Sequence, residues 1–165
     1  SARGEWDEAI EAAEASRGRM SDTGTGTQYA GMASMALAEG LLGSGDVWGA
    51  LRAARGAVAA AVKRGSKVSV ARSRVTLGRV LLAAGELTEC EGQLEMALDH
   101  GAGVERATTP RAYETLASLA EVRNDVSRRI QCLELALEGY TAGGATIHRR
   151  RVERELATAS GIRRP

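Results

Sequence analysis

The sequence predicts an all-α protein, a right-handed α-solenoid of about eight antiparallel helices, and three observations predict it. Composition favours helix over sheet: phenylalanine is absent, prolines number two and 44% of residues are apolar. Apolar residues recur at spacings of three and four, as in Leu77, Val80, Leu81 and Ala84, or Leu94, Ala97 and Leu98, the mark of amphipathic helices. The pattern then returns about every 40 residues, as expected of units that cannot bury their apolar faces alone.

The repeat is read most easily at its turns. A turn residue, an acid and an apolar residue occur at Gly4-Glu5-Trp6, Gly45-Asp46-Val47, Gly85-Glu86-Leu87 and Asn124-Asp125-Val126, at intervals of 41, 40 and 39. Upstream of the turns stand Leu37-Ala38, Leu77-Gly78, Leu116-Ala117 and, once more, Leu156-Ala157. Downstream, Ala13, Ala54, Leu94 and Leu133 share one offset, and Ala57-Val58, Ala97-Leu98 and Ala136-Leu137 share another.

Taken in order, residues 1–20 form a half unit with a helix over about 5–18. Full helix hairpins follow at 27–65 (helices 27–43 and 46–64), 66–103 (67–84 and 87–100) and 108–144 (109–123 and 126–141). A closing helix spans 147–159. Asp46 and Asp125 are placed to cap exposed first-turn amides, Thr109 precedes Pro110 at a first helical position, and Ser66 and Thr146 start two further helices. Glycines at 65, 101, 103, 143 and 144 link the units. Gly78 stands inside a helix, where glycine costs roughly 1 kcal/mol against alanine. Its repeat equivalents Ala38, Ala117 and Ala157 are all small, which predicts a close helix crossing there. The array opens in mid-unit and the chain begins SARGEW without methionine, so a piece of a larger array is expected.

These residues resemble the tetratricopeptide repeat, whose first helix carries a large residue followed by leucine and a small residue, with a glycine-acid turn and a second helix rich in alanine. Tyr113 with Leu116-Ala117, Leu77-Gly78, Gly85-Glu86 and Ala97-Leu98 carry the likeness. The sequence departs from that pattern in its longer period, against about 34, and in Val62, Ala102 and Thr141 where the closing proline would stand. Ser34 and Arg74 occupy the large position in two units, and Arg129 and Glu91 replace small or apolar residues. The long alanine- and arginine-rich units, and the ending Tyr140 to Ala157, are similar to the C-terminal repeat region of bacterial LuxR-type ATP-dependent transcriptional regulators and of multidomain adenylate cyclases. That resemblance implies a non-catalytic regulatory repeat domain of a larger bacterial signalling protein, acting through a protein partner, a neighbouring domain or an inducer. The chain has no Walker lysine motif and no recognisable DNA-binding domain.

Charge and chemistry-bearing residues bound the function further. A formal net charge of +1 offers no global field for nucleic acid or an anionic membrane. Cys90 and Cys132 lie 42 apart without a CxxC, and His100 and His148 are the only histidines. No disulfide framework, metal site or cofactor is therefore indicated, and a reducing cytoplasm is expected. No apolar run approaches the roughly 20 residues that span a bilayer. The glycine-rich Thr23 to Gly31 lacks the GK[ST] ending of a phosphate loop and reads as a capped linker. No Ser-His-Asp, Cys-His or paired-carboxylate constellation argues for an enzyme.

Binding is the expected role, because the first helices of such hairpins line a concave surface. The register places Met32, Met35 and Glu39, then Arg72, Val75 and Arg79, then Arg111, Glu114 and Ser118 on it. Methionines offer adaptable apolar contact and arginines fork onto carboxylates. Arg149, Arg150, Arg151 and Arg154 form the densest basic stretch, with six arginines against two glutamates from Ile147 to Pro165. A solvated helix face is the favoured reading of it, docking to an acidic partner the second and nucleic-acid contact the least favoured, since no aromatic interleaves for stacking. Apolar residues Trp6 and Ile10 at the start of the array predict self-association through the solenoid ends.

Overall fold

A computed structural model describes residues 27–101 and 108–161 of the chain. The expected first helix, with Trp6 and Ile10, lies outside the described residues, as do residues 23–26 of the glycine-rich stretch read as a linker, whereas its Thr27 to Gly31 open the first helix described. Within them the chain is helical without a strand. Seven helices run in order: α1 (Thr27–Ser44), α2 (Val47–Arg64), α3 (Lys67–Ala84), α4 (Leu87–Gly101), α5 (Thr108–Val122), α6 (Val126–Ala142) and α7 (Thr146–Ala159). Every end falls within one residue of the helix map read from periodicity and breaks.

The turns explain that agreement. Four helix ends close with the same six-to-one bond: Asp46 N–H donates to Leu41 C=O, Glu86 to Leu81, Asp125 to Ala120 and Ala145 to Tyr140, each at 2.9 Å. This closure needs a left-handed residue just before the donor. Gly45 (φ 91°), Gly85 (φ 80°), Asn124 (φ 57°) and Gly144 (φ 69°) supply it. Asparagine tolerates that region better than most residues, which is why the fourth turn copy keeps the geometry without glycine.

Caps follow the sequence with two corrections. Asp46 accepts from Gly49 N–H at 2.8 Å, Asp125 from Arg128 N–H at 2.9 Å and Ser66 from Ser69 N–H at 3.3 Å. Thr146 is not a cap: Ala145 holds that position with no side-chain bond, and the closing turn comes from the backbone instead. Pro110 sits third in α5, which starts at Thr108. Its missing N–H still falls among the first-turn amides that have no helical partner.

The core runs between the helices of each hairpin and on to the next, and Val80, Leu81 and Leu94 are fully buried. A Cβ built on Gly78 would lie 2.7 Å from Leu94 Cδ2 and 2.9 Å from its Cγ. Gly78 is therefore where α4 crosses α3 within side-chain distance. In the following hairpin the void is on the second helix: a Cβ on Gly139 would meet Pro110 Cγ at 2.5 Å. Leu94 can yield by turning about its Cα–Cβ bond, which moves its branch carbon and methyls together, whereas the proline ring is stiff. Gly139→Ala is accordingly expected to lower the urea midpoint despite alanine's better helix propensity, and Gly78→Ala to leave it nearly unchanged.

Two departures from the repeat pattern have partners. Glu91 accepts from Arg123 at 2.6 Å, and Arg129 pairs with Glu121 at 2.8 Å. Each replaces an apolar repeat residue by half of an ion pair. At the C-terminal end, the residues of α7 and its C-cap equivalent to Ala71, Arg74, Gly78 and Leu81 are Arg150, Glu153, Ala157 and Ser160. The hairpin-facing column of the earlier units thus becomes mostly polar in α7, as in the capping helices of solenoids.

Cys90 and Cys132 are free thiols buried in this core. Burial pushes the Cys90 thiol up to about 11, only partly countered by nearby Arg123 and reinforced by Glu91. In the unfolded chain the thiol ionises first, near 9.0. Its contribution to stability is therefore complete below that pH and is lost as pH climbs through the folded value. Urea midpoints are expected to fall between those two values, with a shallower fall in Cys90→Ala. Equal slopes for both proteins would contradict the assignment.

Candidate functional site

Four first helices, α1, α3, α5 and α7, line a continuous groove with two open hollows. One, of about 320 Å³, is lined by Met35, Ala36, Glu39, Arg72, Val75, Thr76, Thr108 and Arg111. The other, of about 330 Å³, is lined by residues that include Arg79, Arg111, Glu114, Ser118, His148 and Arg151. Arg111 borders both.

The groove is built in columns, because a residue on one first helix recurs about 40 positions later on the next. By repeat position Met32, Arg72, Arg111 and Arg151 form one column and Met35, Val75, Glu114 and Arg154 another, though Met32 and Arg154 line neither hollow. Glu39, Arg79 and Ser118 form a third. Ion pairs bind neighbouring helices across them. Both Glu39 oxygens accept from Arg79 Nη1, at 2.5 and 2.6 Å, while Arg111 Nη2 stands 3.9 Å from the same carboxylate. Arg111 is half exposed and has only that long approach as an ion pair among the described residues.

Glu114 is the most enclosed acid of the groove, with 16% of its side chain exposed. Its Oε1 accepts from Arg151 Nη2 at 2.5 Å, and its Oε2 accepts from the Tyr140 hydroxyl. His148 stacks on Tyr140 with ring centroids 5.0 Å apart and a 16° interplanar angle. Its Nδ1 lies 3.3 Å from Arg151 Nη2, which donates. Burial, then the Glu114 hydrogen bond and charge, raises the Tyr140 phenol above its ordinary range against the opposing charges of Arg151 and Arg111.

The structure brings Met35, Glu39, Arg72, Arg79, Arg111 and Glu114 together along this groove. Met32 lines neither hollow: with Met35, Ala57, Ala61, Arg64 and Ser73 it borders a smaller one where α1 meets α2 and α3. The basic cluster divides. Arg151 enters the groove, Arg149 lies 3.6 Å from Glu153 on its own helix, and Arg154 Nε donates to the Arg150 carbonyl at 3.3 Å. These arginines do not form one stripe. Arg151, His148 and Tyr140 were not read from the sequence as groove residues; for Arg151 the signal existed, since it follows Arg111 at the repeat interval. His100 sits at the end of α4, its Nδ1 donating to the Met96 carbonyl at 2.7 Å.

Among the described residues no group of three or more His, Cys, Asp or Glu side chains is arranged to hold a metal ion. None of their helices is long and apolar enough to cross a membrane.

No protein-family model and no curated protein matches the chain. Crystal structures of nearly identical TPR-like repeats of a Podospora anserina kinesin light chain are similar to it. One aligns with a TM-score of 0.70 at 20% identity, covering 96% of this chain and 79% of that one. A single-substitution variant of the same repeats gives 0.71 at the same identity and coverage. The fold is thus a TPR-like helical-repeat solenoid.

Proposed function

We propose that this repeat module holds an extended, acidic segment of a protein partner, or of a neighbouring domain, along the groove of its first helices. The observation that carries this reading is Arg111: a half-exposed guanidinium between two hollows, 3.9 Å from its nearest paired carboxylate and in column with Arg72 and Arg151. A guanidinium fork is suited to a carboxylate that arrives from outside. Met35 and Val75 beside it offer apolar contact for the flanking residues. A small inducer is the second reading, supported by hollows that reach the roughly 300 Å³ of ligand pockets; their open walls favour an extended chain over an enclosed molecule. The likeness of Tyr140 to Ala157 to LuxR-type regulators supports a place in a larger bacterial signalling protein, and two free thiols fit a reducing cytoplasm.

A peptide array graded from basic to acidic, read by fluorescence anisotropy, tests the groove. Acidic peptides are expected to bind with an affinity that falls as salt rises, and Arg111→Glu to weaken them by roughly tenfold or more. Binding indifferent to peptide charge, or unchanged in Arg111→Glu, would remove the groove from the account.

A further inference from the structure

The second helices carry a surface that the groove does not use. On α2, Trp48, Arg52, Arg55, Ala59, Val62 and Lys63 are all exposed, and their spacings of three and four place them on one face. Trp48 is 67% and Val62 53% exposed. No acid occurs anywhere in α2. On α4 the charge is reversed: Glu89, Glu91, Glu95 and Asp99 occur without a lysine or arginine. Arg55 donates to Glu89 at 2.8 Å, so the basic and acidic helices lie side by side on the same outer face. Exposed Met96 on α4 and Leu135 on α6 supply apolar surface beside the acids, with Glu134 and Glu138 extending the acidic region.

We infer that this outer face is a two-fold interface between copies of the chain, with the basic stripe of α2 from one copy lying on the acidic stripe of α4 from the other. A surface that holds a patch and its electrostatic complement side by side is self-complementary under a two-fold axis, which pairs each patch with the other twice. The axis sets α2 antiparallel to the opposing α4. Arg52, early in α2, then faces Asp99, late in α4, while Lys63 faces the N-terminal end of α4. Among the described residues neither Arg52, Lys63, Glu95 nor Asp99 makes an ion pair within its own chain, so an interface would not break an internal bridge to use them. Exposed Trp48, Val62, Met96 and Leu135 add apolar surface among these charges. With a formal net charge of +1, two copies carry little mutual repulsion. The groove of the first helices remains open in this dimer.

Sedimentation velocity over a concentration series, at low and high salt, tests the inference with charge-swapped chains. The unaltered chain is expected to dimerise at low salt and to dissociate as salt rises. Arg52→Glu with Lys63→Glu, and separately Glu95→Lys with Asp99→Lys, should each weaken the dimer by roughly tenfold or more through like-charge contacts. Mixing the two variants should restore a heterodimer, because each then presents what the other lacks; that recovery also shows both are folded. A monomer at every concentration at low salt would overturn the inference. So would a dimer indifferent to both charge reversals, or a mixture that fails to pair while both variants keep their helical circular dichroism.

Discussion

Leu94→Ala is expected to cost about 2–5 kcal/mol of folding stability, which in a chain of this size lowers the melting temperature by on the order of 10 °C. Leu94 is fully buried and fills the space that Gly78 leaves on the facing helix. Truncating it removes transfer energy and opens a cavity which the rigid helix pair cannot fully close. Gly78→Leu acts in the opposite sense at the same place. Its Cβ alone would stand 2.7 Å from a Leu94 methyl, so a full leucine must part the helices or twist off its rotamer, at about 1–3 kcal/mol or more. The decisive measurement is the double variant. If the two positions share one volume, Gly78→Leu with Leu94→Ala is more stable than the sum of the single losses predicts. Additive losses by chemical denaturation would mean the helices cross elsewhere.

That crossing was legible before any coordinates, and the reason is the repeat. One glycine in a helix is ambiguous; a glycine whose equivalents are Ala38, Ala117 and Ala157 marks a place where bulk is excluded in every unit. The turns were legible for the same kind of reason, because a six-to-one closure demands a left-handed residue and few residue types supply one. What failed was local inference without a repeat to check it. Thr146 resembles a cap, yet it is already the first helical residue: its N–H donates to the Gly144 carbonyl, and Ala145, whose carbonyl accepts from Arg149 N–H, occupies the cap position. The four arginines of α7 resemble one basic patch, but successive residues on a helix point in different directions. Only Arg151 turns into the groove, where Glu114 waits one repeat earlier.

The groove residues sort along the same line. Columns of side chains follow from the period, and Arg72, Arg79, Arg111 and Glu114 were placed by it. Pairings did not follow, because which acid meets which arginine depends on side-chain reach between helices. The Glu39–Arg79 bridge spans one unit within a column, whereas Glu114 joins Arg151 from the adjoining column. Tyr140 comes from a second helix and has no counterpart tyrosine at the repeat interval, so periodicity carried no signal for its hydroxyl.

Glu114→Ala is the other change with a large expected effect, and it separates stability from binding. Both Glu114 oxygens are engaged, one by Arg151 and one by the Tyr140 hydroxyl. Tyr140 is only 4% exposed, so removing its acceptor leaves a buried donor without a partner, at about 1–3 kcal/mol. The lost Arg151 pair adds little, since that arginine is half exposed. Tyr140→Phe removes the donor together with its need, so Glu114→Ala should cost much less in that background than in the unaltered chain. Alkaline titration gives a second readout. The folded phenol ionises above its ordinary value, so its stabilisation is complete below about pH 10 and is lost as pH rises beyond it. Tyr140→Phe should flatten that decline, while Glu114→Ala flattens it only in part, because burial remains the first cause of the shift. Binding should move the other way. With Glu114 gone, Arg151 keeps only a 4.0 Å approach to Glu155, as Arg111 keeps only its 3.9 Å approach to Glu39, and acidic peptides should bind more tightly to a less stable protein. A variant that loses stability and peptide affinity together would assign Glu114 to the partner contact itself, and the acidic-segment reading would fail at that end of the groove.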